Sequence, residues 1–168
     1  MIFILGHHMI LNYWDLDLEL KNQVEEIFFL NANKIFSNIE EKERFKSKWL
    51  GPYFEKDSIF RCKNINNKIV GYINGKKESI DLPIEFLSLA QKFPEHLHIN
   101  IHPEYQNEGI GKILMDDFCQ VLAQSNCIGV NIVTAPSSRN VKFYERNNFN
   151  FSQLSSCKKY LFMGRRLI

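Results

Sequence analysis

The chain lacks several features that would direct it to particular classes of protein. Its apolar amino-terminal stretch, MIFILGHHMIL, is far shorter than the ~20 apolar residues that a membrane span needs. The stretch has no basic segment and no small-residue cleavage site, so it is a poor signal peptide. No long basic block occurs, and the formal net charge is only +2. We therefore expect a cytoplasmic protein that binds neither membranes nor nucleic acid.

The spacing of the cysteines indicates little chemistry. The four cysteines form no C-x-x-C pair and lie near no cluster of histidine ligands, so we expect reduced thiols. Cys119 and Cys127 are expected to be buried packing groups, because no histidine in the sequence is placed beside either to make a nucleophile. His7 and His8 are adjacent but have no third ligand, so we expect no metal site.

The chain does have enough apolar residues for one well-packed core. It has 168 residues, of which 45% are hydrophobic, and that length is short for two domains. Its 14 phenylalanines predict a core rich in aromatic rings. We expect a single domain over residues 1–168, as a monomer or a homodimer.

Hydrophobic periodicity predicts helices and strands in an order typical of an α/β protein. Helices are predicted over 18–36, 39–51, 82–93, the stretch that follows Gly111, and 137–148. Strands are predicted over 58–64, 68–75, 96–102 and 128–134, followed by FNFSQL and YLFMGRRLI. The hairpin of the first half must be antiparallel, whereas the strand–helix–strand unit from 96 to 134 should be parallel with a right-handed crossover. The prediction is a mixed sheet flanked by helices.

The segment HPEYQNEGIGKILMDDF, residues 102–118, places two glycines at the corner between a strand and a helix. Gly109 and Gly111 let a ligand approach the backbone, and the helix amino end offers N–H groups and a positive dipole to an anion such as phosphate. The P-loop pattern is absent, and so is the third glycine of a dinucleotide fingerprint. On the glycines alone, an ordinary strand-to-helix turn explains the corner equally well.

Two segments resemble the motifs of a known family. HPEYQNEGIGKILM resembles motif A of the GNAT acyltransferases, Q/R-x-x-G-x-G/A after a central strand, and NVKFYERNNF (140–149) resembles their motif B. The resemblance implies the GNAT fold, with parallel strands that splay apart beside HLHINIH to leave a slot for the pantetheine arm of acetyl-CoA. The same segments, with the terminal MGRRL, resemble more narrowly the bacterial relatives of the acetyltransferase-like domain of O-GlcNAcase.

The resemblance also implies how acetyl-CoA is held. Backbone N–H groups of one loop would bind the pyrophosphate, namely those of Asn107, Glu108, Gly109, Ile110, Gly111 and Lys112, with Gln106 opening the loop. Glu108 stands where the family often has glycine or a basic residue, and its carboxylate is unfavourable unless it points outward. Lys112 is either a charged contact or a solvated lysine.

Main-chain groups would bind the rest of the cofactor in the way an added strand does. Those of Ile99, Asn100 and Ile101 should pair with the pantetheine arm, and one backbone N–H should stabilise the thioester oxyanion. Asn140 and Tyr144 are four residues apart, so they should share the helix face that meets the cofactor. A helix-surface amide is the plain alternative for Asn140.

The catalytic residues implied by the resemblance are an acid and a base. Tyr144 would protonate the leaving thiolate, or else it is an aromatic core residue. Glu95 occupies roughly the family's usual position for the base that deprotonates the amine, and His98 is the second candidate. His96 and Asn100 share the strand face of His98, and each of these groups has a structural role as its alternative.

The function that we expect is direct transfer of an acetyl group from acetyl-CoA to an amine of a small molecule or a protein. The main alternative is a pseudo-acetyltransferase that uses the same fold for binding without turnover. A third possibility is an N-acyltransferase with a longer acyl donor. The acceptor depends on the first two helices and the loop after GYING, which are the least recognisable segments. Paired carboxylates of the glycosidase type are absent.

Overall fold

The computed structural model describes residues 8–55, 57–77 and 82–168. The expectation that His7 and His8 form no metal site therefore lies outside the described residues. The strands are β1 His8–Asn12, β2 Ile59–Ile65, β3 Lys68–Lys76, β4 Glu95–Ile101, β5 Gly129–Thr134, β6 Phe151–Leu154 and β7 Leu161–Arg166. The helices are α1 Leu18–Leu30, α2 Ile39–Trp49, α3 Leu87–Ala90, α4 Ile110–Gln124 and α5 Val141–Arg146.

The strands form one mixed sheet, as the sequence predicts. Their order is β1-β2-β3-β4-β5-β7-β6. β4 and β5 are parallel, whereas β1 with β2, β5 with β7, and β6 with β7 are antiparallel. The parallel register of β4 with β5 consists of Glu95 opposite Val130 and His96 opposite Asn131. Pairing that is confined to the start of both strands agrees with the expected splaying of this pair.

The chain divides into two compact units, each with its own cluster of buried side chains. One unit contains the described residues up to 74 together with 99–114, and the other contains the described residues of 75–98 and 115–168. In the first unit, α1 packs Leu20, Val24, Ile27 and Phe28 into a cluster that includes rings of β2 and β3. In the second unit, a cluster is formed by Phe86, Leu89, Phe93 and Phe162. Both clusters therefore contain phenylalanine side chains, as the composition predicts.

Several predicted elements differ from the observed ones at their ends. The helix predicted over 18–36 ends at Leu30, because the Asn31 side chain donates a 2.8 Å hydrogen bond to the Ile27 carbonyl. The helix predicted over 137–148 is reduced to α5, and Asn148 after it has a φ of 66°. Residues 82–93 form a 3₁₀ turn over Ile84–Phe86 and the single turn of α3. Strand β1 was not predicted at all.

The turn between β2 and β3 has the backbone geometry of an antiparallel hairpin, as predicted. Asn66 and Asn67 have φ values of 51° and 64°. Two consecutive positive φ angles are the requirement of the tight hairpin turn, and asparagine tolerates them better than other residues with a side chain.

Within the described ranges, the structure contains no helix that is both long and apolar enough to span a membrane.

Gly75 in β3 gives a prediction about the core of the second unit. A Cβ at this position would lie 2.3 Å from Cζ of Phe118 and 3.1 Å from the His96 carbonyl oxygen. Gly75→Ala should therefore lower the free energy of unfolding by about 1–3 kcal/mol, measured by urea denaturation, because the buried ring must move. Gly51→Ala is the control, since its Cβ would meet only the Lys46 carbonyl oxygen at 3.8 Å. Equal stability of the two variants would contradict the tight packing at Gly75.

Candidate active site

The glycine corner of the sequence is a strained loop at the amino end of α4. β4 ends at Ile101, a 3₁₀ turn covers Pro103–Tyr105, and α4 begins at Ile110. Asn107 and Gly109 both have positive φ angles, of 67° and 80°. The hydrogen bond from Ile113 N to Gly109 O, at 3.2 Å, closes the first helical turn. The N–H groups before Ile113 consequently point out of the end of the helix.

The loop fits a phosphate group on steric and electrostatic grounds. A Cβ built on Gly109 would have no heavy atom within 4 Å, so its bare backbone is open to approach. Asn107, Glu108 and Gly109 are exposed, whereas the next residue, Ile110, is only 4% exposed and anchors the loop in the core. A helix amino end with open, exposed N–H groups attracts an anion. The exposed Glu108 carboxylate is the one negative charge in this six-residue loop.

The carboxyl end of β4 is tied to the loop and to α1 by side-chain amides. The Ile101 carbonyl accepts hydrogen bonds from Asn31 Nδ2 at 3.1 Å and from Gln106 Nε2 at 3.3 Å. The predicted loop residue Gln106 therefore holds the loop against the strand. Asn31 is a residue that the sequence reading missed, since nothing in an isolated asparagine at a helix end indicates a partner 70 residues away.

The main-chain groups of β4 alternate between its two edges. His102 N donates to the Val70 carbonyl of β3 at 2.9 Å, so even-numbered residues at this end of β4 direct their backbone groups toward β3. Asn100 is even-numbered, so its backbone groups also face β3. Its side-chain Nδ2 donates to the Tyr72 hydroxyl at 2.7 Å. The backbone groups of Ile99 and Ile101 therefore face away from β3. Of the three predicted main-chain contacts, these two have the orientation that a ligand on that edge requires.

His96 belongs to a buried chain of hydrogen bonds in the second unit. Asn131, fully buried in β5, donates from Nδ2 to the Phe93 carbonyl at 2.6 Å, and its Oδ1 lies 2.7 Å from His96 Nδ1. Burial lowers the pKa of His96, and the hydrogen bond to Asn131 opposes that shift. The imidazole is therefore neutral at pH 7.

The Phe93 ring fixes the other end of this chain. Its atoms come within 2.9 Å of the position that a Cβ on Gly129 would occupy, and within 2.8 Å of the corresponding position at Gly164. The ring thus lies directly on bare backbone of the adjacent strands β5 and β7. The backbone carbonyl of Phe93 is consequently a fixed acceptor for the Asn131 amide.

The two predicted base candidates lie on opposite faces of β4. Glu95 and His98 are three residues apart, and successive side chains of a strand alternate between its faces. His98 shares its face with His96, and their ring centroids are 5.1 Å apart. Burial, with a smaller effect from His96, lowers the pKa of His98 to about 3. Burial raises the pKa of Cys127, and the Glu95 carboxylate adds to that rise.

Tyr144 is buried among aromatic rings, whereas Asn140 is not buried with it. The Tyr144 ring makes edge contacts with Phe143 at 5.3 Å and Phe149 at 5.2 Å between centroids. Burial raises the pKa of the hydroxyl, so it keeps its proton at neutral pH. Asn140 is the exposed residue before the first turn of α5, and its carbonyl accepts from Tyr144 N at 3.1 Å. The structure thus places the pair one helical turn apart but gives them different environments.

The cysteines and potential metal ligands offer no further chemistry at this site. Cys119 and Cys127 are buried, as expected, and burial raises the pKa of Cys119 to about 11. Neither thiol is therefore a thiolate at neutral pH. Among the described residues, no group of three or more His, Cys, Asp and Glu side chains is arranged to hold a metal ion.

Comparison with known proteins identifies the fold. The chain resembles the crystal structure of an aminoglycoside 6'-N-acetyltransferase complexed with coenzyme A, at 12% identity, covering 95% of this chain and 97% of that one, with a TM-score of 0.69. It also resembles the ribosomal-protein-S18-alanine N-acetyltransferase from Escherichia coli, at 13% identity over 96% and 94% of the two chains, with a TM-score of 0.63. A third match is the PaiA N-acetyltransferase from Thermoplasma acidophilum in complex with coenzyme A, at 16% identity over 95% and 99%, with a TM-score of 0.61.

These matches show that the chain shares its fold with structures of acetyltransferases. A family model described as the acetyltransferase (GNAT) family matches residues 22–149. The chain therefore belongs to the GNAT family, and the family predicted from its two motifs is confirmed. The comparisons do not support the narrower resemblance to the acetyltransferase-like domain of O-GlcNAcase.

Proposed function

We propose that this protein is an acetyl-CoA-dependent N-acetyltransferase that acts on an amine of a small molecule or a protein. The observation that carries the proposal is the loop before α4, where positive φ angles at Asn107 and Gly109 expose backbone N–H groups at a helix amino end. Family membership and structural matches to acetyltransferases crystallised with coenzyme A support the same assignment.

In this proposal the chain's backbone binds and orients the acyl donor. The N–H groups of residues 107–112 hold the pyrophosphate, with Gln106 keeping the loop in place. The backbone groups of Ile99 and the N–H of Ile101, which face away from β3, pair with the pantetheine arm, since the Ile101 carbonyl already accepts from Asn31 and Gln106. The N–H of Ile99 is then the donor proposed to stabilise negative charge on the thioester oxygen.

Acetyl-CoA supplies an acyl group that is activated as a thioester. The chain must supply two proton transfers, one from the attacking amine and one to the departing sulfur. Tyr144 is proposed to donate from its hydroxyl, which burial keeps protonated. β4 is proposed to supply the acceptor, with Glu95 on one face and His98 on the other.

The alternative function is binding of acyl-CoA or a partner without turnover. Burial lowers the pKa of His98 to about 3, and such an imidazole is a weak proton acceptor at neutral pH. If His98 were the only base, this low pKa would favour binding without turnover. The two functions differ in whether any amine causes release of free coenzyme A thiol.

A thermal-shift screen with coenzyme A, acetyl-CoA and longer acyl-CoAs, followed by an amine panel with a free-thiol readout, tests the proposal. Acetyl-CoA should raise the melting temperature, and at least one amine should cause thiol release above the rate of the donor alone. Stabilisation without thiol release from any amine would support the binding module. Absence of stabilisation by every acyl-CoA would contradict the acetyltransferase and would leave binding of a partner as the function.

Glu108 gives a prediction about affinity. Glu108→Gln removes the like charge nearest to the proposed pyrophosphate site, so acetyl-CoA should bind several-fold more tightly, with a larger gain at low salt. Glu40→Gln, in the first turn of α2, is a control of equal charge change. Isothermal titration calorimetry at two salt concentrations makes the comparison. Equal effects of the two substitutions would show that only net charge matters and would place the phosphates away from Glu108.

A further inference from the structure

We infer that Asn31, at the carboxyl end of α1, positions the end of β4 for the pantetheine arm of the acyl donor by holding the Ile101 carbonyl. The inference rests on the proposed function and deepens it, because it names a residue outside the glycine loop that controls donor affinity. Asn31 acts through the backbone of β4 and is therefore a positioning residue.

The Ile101 carbonyl lies on the edge of β4 that the donor is proposed to use. His102 N donates to the Val70 carbonyl at 2.9 Å, so the backbone groups of His102 face β3 and those of Ile101 face the other edge. Pairing with β5 on that other edge covers only Glu95 and His96 of β4. The backbone of Ile101 therefore lies beyond the paired part of this edge.

Two side-chain amides occupy this carbonyl. Asn31 Nδ2 lies 3.1 Å from the Ile101 oxygen, and Gln106 Nε2 lies 3.3 Å from it. A carbonyl oxygen has two lone pairs, so both are used by these donors. The peptide unit between Ile101 and His102 is thus held on both sides, with its oxygen bound by the amides and its N–H bound by the Val70 carbonyl. This peptide unit fixes the direction of the neighbouring Ile101 N–H.

The Asn31 side chain is itself fixed by α1. Its Nδ2 also donates to the Ile27 carbonyl at 2.8 Å, so both amide hydrogens are used. Both partners are carbonyl oxygens, which only accept, and this settles which end of the amide is the nitrogen. The helix is anchored in the core of the first unit by the buried side chains of Leu20, Val24, Ile27 and Phe28. Asn31 therefore connects the end of β4 to that core.

This arrangement separates the two halves of the donor site. The loop that is proposed to hold the pyrophosphate has its own attachments, namely Gln106 and the buried side chain of Ile110. Loss of the Asn31 amide should let the end of β4 tilt, which would misdirect the backbone groups of Ile99 and Ile101. Asn31 should therefore affect binding of the pantetheine arm and leave binding of the pyrophosphate unchanged.

Titration calorimetry with acetyl-CoA and with ADP tests this division, because ADP has the pyrophosphate but lacks the pantetheine arm. Asn31→Ser should weaken acetyl-CoA binding about three- to tenfold, which corresponds to the net contribution of one hydrogen bond. The Kd for ADP, measured by competition against acetyl-CoA where it is weak, should change less than twofold. A serine hydroxyl can still bond the carbonyl four residues earlier, that of Ile27, but is too short to reach Ile101.

Asn147→Ser is the matched control. Asn147 also follows the last residue of a helix, α5, and its Nδ2 donates to the carbonyl four residues earlier, that of Phe143, at the same 2.8 Å. Its side chain is buried, so this variant should lose at least as much stability as Asn31→Ser in urea denaturation. It should nevertheless change the affinities for acetyl-CoA and ADP to the same degree. A selective loss of acetyl-CoA binding in both variants would show a general effect of loosened helix ends and would overturn the inference.

Gln106→Ala tests whether Asn31 acts through the Ile101 carbonyl. Both amides bond the same oxygen, so each can partly hold it when the other is removed. The double variant Asn31→Ser/Gln106→Ala should therefore lose more acetyl-CoA affinity than the two single losses multiplied together. Single losses that simply multiply would show that Asn31 acts independently of this carbonyl, which contradicts the positioning role.

The outcomes separate this inference from the proposed function. If Asn31→Ser binds acetyl-CoA as the wild type does, or loses ADP binding equally, the inference is overturned and the function stands. If the wild type binds acetyl-CoA but no amine causes thiol release, the acetyltransferase fails and the titrations still decide the role of Asn31. If the wild type binds no acyl-CoA, both fail. Should Asn31→Ser fail to fold, Asn31→Thr, with the same hydroxyl, carries the test.

Discussion

Replacing Gly111 by aspartate is expected to weaken acetyl-CoA binding by at least about tenfold. Gly111 is the second residue of α4, within the turn whose N–H groups are proposed to hold the pyrophosphate. Two like charges about 4 Å apart repel by roughly 4 kcal/mol at the effective dielectric constant of a protein surface. Even half of that energy would produce a loss of more than tenfold, and the added side chain would also obstruct the approach. Isothermal titration calorimetry measures the change.

The substitution separates binding from folding. An acidic residue in the first turn of a helix interacts favourably with the helix dipole, and replacing glycine inside a helix removes its entropic penalty. Gly111→Asp should therefore unfold at a urea concentration at least as high as the wild-type protein. Gly111→Asn has the same shape without the charge and should lose less affinity. If Gly111→Asp binds acetyl-CoA as the wild type does, the phosphates are not at this loop.

Replacing Tyr144 by phenylalanine is expected to lower kcat by about 10²–10⁴-fold, the range for loss of a general acid. The phenyl ring preserves the contacts with Phe143 and Phe149, so stability and the Kd for acetyl-CoA should stay near the wild-type values. The effect should appear in kcat with little change in KM, because only the hydroxyl that protonates the leaving sulfur is removed. Steady-state kinetics with a free-thiol readout measures it.

Three outcomes distinguish the roles of Tyr144. A variant with unchanged turnover would show that Tyr144 is a packing residue. A variant whose affinity for acetyl-CoA collapses would show that the hydroxyl is a binding contact. Turnover of an artificial thioester donor whose leaving thiol is more acidic than that of coenzyme A should be less sensitive to the loss, because a better leaving group needs less protonation.

The sequence predicted those parts of the fold that depend on local patterns. The apolar stripe of α4 and the alternation of β4 repeat over several turns or residues, so both elements were predicted, and the predicted ends of β4 were each one residue from the observed ones. α5 was predicted too long because its flanking residues are helix-compatible, whereas Ser138 and Asn148 end it by turn geometry. β1 was missed because its five residues, HMILN, are a strand only through pairing with β2, which lies about fifty residues away.

The candidate site shows the same division between local and distant information. The loop before α4 was predicted because its glycines, its strand and its helix are contiguous in the sequence. The roles of Asn31 and Asn131 were not, because each depends on a partner on another element: the Ile101 carbonyl for Asn31, and the Phe93 carbonyl for Asn131. Which edge of β4 each backbone group faces also depends on the neighbouring strand, so sequence alone could not separate Asn100 from Ile99 and Ile101.

The packing of the Phe93 ring against Gly129 and Gly164 limits which substitutions this chain can accept during evolution. The positions of Phe93, Gly129 and Gly164 are coupled, because a methyl group at either glycine would overlap the ring. Lineages can therefore exchange these residues only in one order: the ring at 93 must become smaller before either glycine gains a side chain. The opposite order passes through an overpacked intermediate, which would displace the carbonyl that holds Asn131. Substitution of either glycine would thus disturb the hydrogen bonds of His96 through the Phe93 carbonyl and Asn131.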